Sequence, residues 1–117
     1  MSYSDTLMQH FWQPKNHHVM KDADRVGVAG VPGNGPFMVI YLRLDGDYIT
    51  EAAFQTHGCP PSIALESFLA TTLPGLTTQA ARHATTARAL VEAIGGLPPH
   101  KLHCADLAAE ATQKATA

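Results

Sequence analysis

One stretch of the chain decides its fold: residues 37–50 read FMVIYLRLDGDYIT. Every second side chain along residues 37–44 is apolar, which is the pattern of a strand with one buried face. These side chains are Met38, Ile40, Leu42 and Leu44. Asp45-Gly46-Asp47 is a hairpin turn signal, because glycine accepts the positive φ that such turns require. Residues 48–56 are therefore predicted to return as a second, antiparallel strand.

The segments before this hairpin predict one helix and one short strand. Residues 5–12 carry a single apolar stripe, with Ser4 as the N-cap and Pro14 as the end of the helix. Residues 26–36 are rich in Gly and Pro, and predict a short strand that runs into a loop.

The segments after the hairpin predict helices only. Pro60 and Pro61 suit the first turn of a long helix, where a missing N–H costs nothing. Two short helices are predicted over residues 77–83 and 86–94, the second with Gly95-Gly96 as its stop. A final helix is predicted from Pro99 or His100 towards Thr112. The Ala/Thr-rich tail after it is expected to fray. Strands followed by helices indicate an α+β fold, in which a small antiparallel sheet of about three strands has helices packed on one face.

Composition limits the classes of function. The 117 residues are 45% hydrophobic, which suffices for one domain over residues 1–117. A net charge of −2 with scattered basic residues argues against a nucleic-acid partner. No apolar run approaches the roughly 20 residues of a membrane span, and the start of the chain does not have the pattern of a signal peptide. With two cysteines and no disulfide framework, the sequence predicts a cytoplasmic protein.

The first candidate ligand group is His57-Gly58-Cys59, between a predicted strand and a predicted helix. Unpaired N–H groups at a helix start and the positive end of the helix dipole both favour a thiolate there. From this position alone, a functional Cys59 and a structural one are equally reasonable interpretations.

The second candidate group is His100-Lys101-Leu102-His103-Cys104. On a helix, His100 shares a face with both His103 and Cys104, and His and Cys at this spacing can hold zinc or iron. The adjacent His103 and Cys104 point about 100° apart on an ideal helix, so they share an ion only at a frayed first turn. The alternative is an exposed helix with one buried cysteine and ordinary surface histidines.

A third segment, residues 30–36, reads GVPGNGP. Its glycine amides could cradle a phosphate, but it lacks the spacing and the lysine of a phosphate-binding loop. A turn between strands is the preferred interpretation.

Taken in order along nearly the whole chain, these segments resemble the iron–sulfur cluster assembly scaffolds of the NifU N-terminal or IscU type. The opening Tyr3-Ser4, His10-Phe11 and Pro14-Lys15-Asn16 is similar to the start of that family. FQTHGC at residues 54–59 resembles its second cysteine segment, and LPPHKLHC at residues 97–104 resembles its LPPVKxHC segment.

This resemblance implies a site, a cargo and partners. Cys59, His103 and Cys104 would correspond to the metal-site residues, with a [2Fe–2S] cluster or iron as cargo and zinc as the alternative. A cysteine desulfurase would be the sulfur donor, and a chaperone would recognise the segment Leu97, Pro98, Pro99, His100 and Lys101. Cys104 is the predicted sulfur acceptor, since a thiol at a helix start beside Lys101 and His103 is expected to be partly ionised.

The sequence departs from the family pattern in the loop of residues 30–36. The family's GxPxCGD places a cysteine where this chain has Asn34 and an aspartate where it has Pro36. Because an amide oxygen is a weak ligand for iron–sulfur clusters, Asn34, His57 and His100 are only additional ligands or site neighbours. Three functions without enzymatic activity therefore stay open: a scaffold with an altered site, a zinc-binding module, and an interaction protein for a desulfurase or chaperone. A Cys–His hydrolase has no supporting pattern.

Overall fold

The computed structural model describes residues 3–31 and 33–117. The elements in chain order are α1 (Asp5–Trp12), β1 (Arg25–Gly30), β2 (Phe37–Asp45), β3 (Tyr48–His57), α2 (Pro60–Thr72), α3 (Thr78–Ala84), α4 (Ala87–Ala93), a 3-10 turn (Pro99–Lys101) and α5 (Leu102–Ala115). This order confirms the predicted α+β fold. None of the helices in the described ranges has the length and apolar character that crossing a bilayer requires.

The three strands form one antiparallel sheet in the order β1-β2-β3. Asp45 pairs with Tyr48 and Gly46 has φ +63°, which confirms the predicted hairpin turn. At the opposite end of β2, Phe37 pairs with both Gly30 and His57. The loop between β1 and β2 and the C-terminal end of β3 therefore lie at the same end of the sheet.

The core lies between the sheet and the helices α2 and α5. On β2 the alternating side chains of Met38, Ile40 and Leu42 are fully buried, as the sequence pattern predicts. Helix α5 packs across β1 and β2, whereas α2 packs against β3 on the sheet and against α1 beside it. This arrangement brings the N-terminal ends of both helices towards the end of β3.

The C-terminal tail does not fray as expected. Helix α5 continues to Ala115, which is buried together with Ala111. These small residues pack against Gly27 of β1, where any added Cβ would collide with the carbonyl oxygen of Ala111. Close contact between small residues holds the tail helical, although its Ala/Thr composition alone predicts a frayed end.

The predicted helix ends are confirmed at two places. The Ser4 side chain accepts a hydrogen bond from the Leu7 amide at 3.0 Å and caps α1. At the end of α4, Gly95 and Gly96 adopt φ of +91° and +96°, and the Gly96 amide donates to the carbonyl oxygen of Val91 at 2.8 Å.

Candidate metal centre

The two cysteines come from the starts of two different helices. Cys59 is the N-cap residue of α2 and follows β3 after a single residue, whereas Cys104 lies in the first turn of α5. Because both helices cover the same sheet, their starts meet near the end of β3. The Sγ atoms of Cys59 and Cys104 are 3.4 Å apart, and both are free thiols.

Ser62 joins the two sulfurs. Its buried hydroxyl lies 3.7 Å from the Cys59 Sγ and 3.5 Å from the Cys104 Sγ. Sequence analysis did not identify this residue, although a signal was available: Ser62 follows Cys59 by three residues, so both lie on one face at the start of a helix.

His103 lies beside this pair. Its Nε2 is 3.7 Å from the Cys104 Sγ, and its side chain is otherwise exposed. An ideal helix separates neighbouring side chains by about 100°, but the imidazole still reaches the sulfur at the junction of the 3-10 turn and α5. The structure thus brings together Cys59, Cys104 and His103.

The other three predicted neighbours lie further out. Asn34 is exposed in the loop between β1 and β2, where its backbone N–H donates to the carbonyl oxygen of Val31 at 2.9 Å. His57 is exposed at the end of β3, with its ring stacked on that of Phe37 at a centroid distance of 6.3 Å. His100 is exposed in the 3-10 turn. No hydrogen bond from these three side chains to either sulfur occurs in the described part of the chain.

The centre is a thiol pair with one adjacent imidazole rather than a complete cage. Across residues 3–31 and 33–117, no group of three or more His, Cys, Asp and Glu side chains is arranged to hold a metal ion. Two thiolates on one tetrahedral ion lie about 3.8 Å apart when each metal–sulfur bond is about 2.3 Å. The observed sulfur–sulfur distance of 3.4 Å is about 0.4 Å shorter, so a small side-chain movement would reach that spacing. The full ligand set stays a prediction.

The half-buried Cys59 is the more easily ionised thiol. Burial opposes its ionisation, but hydrogen bonds from the Ser62 hydroxyl and from Cys104 outweigh that effect and lower its pKa. The Ser62 amide N–H and the positive charge of Lys101 act in the same direction. The sequence-based expectation that the helix start favours a thiolate at Cys59 agrees with this direction.

Cys104 behaves differently from the sequence-based expectation. Its side chain is fully buried, and burial raises the pKa of its thiol to about 11. The direction of this shift is opposite to the partial ionisation of Cys104 near neutral pH that the sequence predicts. The hydrogen bond from Ser62 and the charge of Lys101 oppose the increase but do not cancel it. The role of Cys104 as sulfur acceptor, which rested on that ionisation, stays a prediction.

The segment Leu97–Lys101 leads directly into the centre. Pro98 is buried and anchors the segment, while Pro99 and His100 are exposed. The 3-10 turn at Pro99–Lys101 runs without a break into α5. A partner that binds the exposed side of this turn would therefore contact the residues immediately before His103 and Cys104.

One buried carboxyl group was also missed by sequence analysis. Glu66 lies one turn after Ser62 on α2, is fully buried, and has no hydrogen-bond partner for either carboxylate oxygen within the described residues. Burial raises the pKa of its carboxyl well above the usual range. Its isolated position in an apolar stretch of α2 was the available signal, since Glu is rarely buried without a partner.

Comparison with known proteins agrees with this architecture. The family model of the NifU-like N-terminal domain matches residues 2–117. An IscU iron–sulfur cluster assembly scaffold protein of Archaeoglobus fulgidus is 41% identical over 113 residues, which are 97% of this chain and 73% of the relative. The IscU scaffold protein of Aquifex aeolicus is 36% identical over 110 residues, covering 92% of this chain and 69% of the relative.

The fold is also found in solved structures. A Fervidobacterium islandicum protein, assigned as a cluster assembly scaffold of the SUF system, superposes with a TM-score of 0.78 at 21% identity. The match covers 98% of this chain and 96% of that one. Together, the domain match and the IscU relatives show that this chain belongs to the family of NifU-like N-terminal domains.

Proposed function

We propose that this chain is an iron–sulfur cluster assembly scaffold that carries iron or a nascent [2Fe–2S] cluster between Cys59 and Cys104. The observation that supports the proposal is the 3.4 Å distance between their Sγ atoms, which suits two thiolates on one ion. The IscU relatives of similar sequence are named as scaffolds for this process. In this proposal the chain carries a cargo and is not an enzyme.

The incomplete ligand set makes the cargo easy to release. Two thiolates and the His103 imidazole supply three of the four ligands that a [2Fe–2S] cluster needs. The fourth ligand would be His57, His100, Asn34 or a small thiol. Since these three side chains are exposed, a recipient's ligand could displace them readily. An open position suits a protein that must hand its cluster to a recipient.

Partners would act at the two ends of this site. A cysteine desulfurase would deliver sulfur to this thiol pair, of which the half-buried Cys59 is the more accessible member, and a chaperone would bind the exposed part of the segment Leu97–Lys101. Because that segment continues into α5, a chaperone that straightens or unwinds the 3-10 turn would move His103 and Cys104 away from Cys59. A reducing cytoplasm would keep both thiols free for this exchange.

Anaerobic reconstitution with iron and sulfide tests the proposal. We expect visible charge-transfer absorption and bound iron and sulfide in the parent chain, and their loss in Cys59→Ser and Cys104→Ser. His103→Ala should weaken retention, and the control His83→Ala, an exposed histidine on α3, should not. Metal analysis of protein produced with controlled iron and zinc distinguishes the zinc-binding alternative.

The interaction protein is the second candidate, and it is favoured by the exposed Asn34 in the loop where the family pattern has a cysteine. That function needs neither thiol. If Cys59→Ser and Cys104→Ser leave cluster-dependent activities in the cell intact, while parent protein retains no cluster in vitro, the scaffold proposal is wrong and the interaction protein replaces it.

A further inference from the structure

The two thiols differ in access although their sulfurs are in contact. The Cys59 side chain is half-buried, whereas Cys104 is fully buried behind it. A disulfide holds its sulfurs about 2.05 Å apart, so the 3.4 Å pair closes with a small movement of the side chains. An incoming reagent reaches Cys59 first, and Cys104 is already in position to attack whatever forms there.

We propose that this pair converts persulfide sulfur into free sulfide, with Cys59 as the landing thiol and Cys104 as the resolving thiol. This inference rests on the proposed function, because it assumes that sulfur is delivered to this site. It adds a chemical step that a cargo-binding role does not require, and it gives the buried Cys104 a task other than ligation.

The step balances in atoms and electrons. The Cys59 thiolate attacks the outer sulfur of a donor persulfide, R–S–SH, which expels R–S⁻ and leaves a persulfide, Cys59–S–SH. The Cys104 sulfur then attacks the inner sulfur of that persulfide, forms the Cys59–Cys104 disulfide and breaks the bond to the outer sulfur. The outer sulfur departs as HS⁻ and takes up the thiol proton as H₂S.

Two thiols thus supply the two electrons that reduce sulfane sulfur to sulfide. The disulfide product must be reduced by an external thiol or dithiol before the next round, so one reduced chain releases one sulfide. The sulfide is produced at the place where iron would be bound, which limits its loss to solvent.

Ser62 is the positioning residue for this exchange. Its hydroxyl lies within 3.7 Å of both sulfurs and holds them on the same side of the α2 start. Gly58 leaves the space that this hydroxyl occupies, since a Cβ there would lie 3.0 Å from the Ser62 Oγ. Removing the hydroxyl should widen the distribution of sulfur–sulfur distances and slow closure of the disulfide without removing either reacting thiol.

The test uses the full chain, metal-free and anaerobic, with one equivalent of a low-molecular-weight alkyl persulfide. We expect release of about one sulfide per chain above the protein-free control, together with loss of two hydrogen masses and of both alkylatable thiols. Cys104→Ser and Cys104→Ala should instead retain one added sulfur on Cys59 and release little sulfide. Cys59→Ser should neither retain an added sulfur nor release sulfide. Ser62→Ala should release sulfide several-fold more slowly than the parent chain.

Two results would overturn the inference. One is sulfide release from both folded Cys104 variants at the parent rate, and the other is a stable persulfide on the parent chain with no disulfide. Circular dichroism identifies which Cys104 variant is folded, and two variants are used because a buried hydroxyl and a small cavity disturb the core differently.

This assay separates the inference from the proposed function. It contains no iron and no partner protein, so a failure to reconstitute a cluster leaves its outcome unchanged. In the opposite case, a chain that binds a cluster but forms no disulfide would keep the scaffold function and lose only the resolving step.

Discussion

The two sides of the candidate centre are built differently. The thiol side, consisting of Cys59, Ser62 and Cys104, lies on helix starts that are packed against the sheet, with Ser62 and Cys104 3% and 0% exposed. The loop side, Gly33–Pro36, is exposed throughout. A Cβ added at Gly33 or Gly35 would have no neighbour within 4 Å.

This difference decides how much a substitution on each side disturbs the fold. A residue on the loop side such as the exposed Asn34 contacts little, so substituting it costs almost nothing in packing. A residue on the thiol side is surrounded by core atoms, and its replacement disturbs both the fold and the neighbouring sulfur. The site therefore combines a thiol side that the fold holds in place with a loop side that the fold barely constrains.

The largest expected effect comes from removing a ligand on the thiol side. Cys104→Ser should reduce iron retained after anaerobic reconstitution and desalting to below about a tenth of the parent value, because a neutral hydroxyl is a poor substitute for a thiolate. Asn34→Ala is the matched change on the loop side. The iron that it retains should stay within about twofold of the parent value, because an amide oxygen contributes little to such a site. Equal losses in the two variants would contradict the division into two halves.

Restoring a thiol on the loop side should have the next largest effect. Asn34→Cys adds a third thiolate at the end of the sheet where β3 leads into Cys59, and we expect the lifetime of the bound cluster to increase several-fold, up to about tenfold or 1.4 kcal/mol. The decay of visible absorption in the presence of a chelator measures it. Asn34→Ser is the control, and a gain as large with serine would show that the added thiol is not a ligand.

The hairpin and most helices were predictable because they depend on local patterns. Alternating apolar residues on β2, the glycine turn and the helix caps each act within a few residues of sequence. The meeting of Cys59 and Cys104 is a long-range consequence of how α2 and α5 pack on the sheet, and the family resemblance rather than periodicity predicted it.

Burial was the part that sequence reasoning missed. The same helix-start argument was applied to both thiols, but α5 sinks Cys104 into the core and leaves Cys59 at its edge. Glu66 was missed for a related reason, since a charged side chain in an apolar helix gives no sign of which neighbours surround it. These residues show that local sequence predicts the element, whereas tertiary packing decides the protonation of its side chains.

The third prediction concerns Glu66, whose buried carboxyl should make the free energy of unfolding depend on pH. Glu66 is neutral in both the folded and unfolded chain at pH values below the ordinary carboxyl pKa of about 4.3. As the pH rises above it, the unfolded chain ionises while burial keeps the folded acid protonated, so the free energy of unfolding falls by up to about 1.4 kcal/mol per pH unit until the raised folded pKa is reached. Glu66→Gln should escape this fall.

Urea denaturation at pH 4 and at pH 7 measures the difference. Relative to the parent chain, Glu66→Gln should gain about 1 kcal/mol or more at pH 7 compared with pH 4. Glu92→Gln on α4 is the control, since an exposed carboxyl should change stability by a few tenths of a kcal/mol at either pH. Parallel pH profiles for the parent and Glu66→Gln would show that the carboxyl finds a partner in solution.

The smallest effect is expected on the loop side itself. Gly35 has φ +90°, where an alanine is disfavoured by about 1–2 kcal/mol, but Gly35→Ala also restricts the unfolded chain and recovers about 0.4–1 kcal/mol. With open space around the new methyl group, the net loss of unfolding free energy should stay near or below about 1 kcal/mol, and cluster retention should not change. A loss above about 2 kcal/mol by urea denaturation, or a loss of bound iron, would mean that the loop packs over the thiols. The thiol side and the loop side would then not differ in how strongly the fold constrains them.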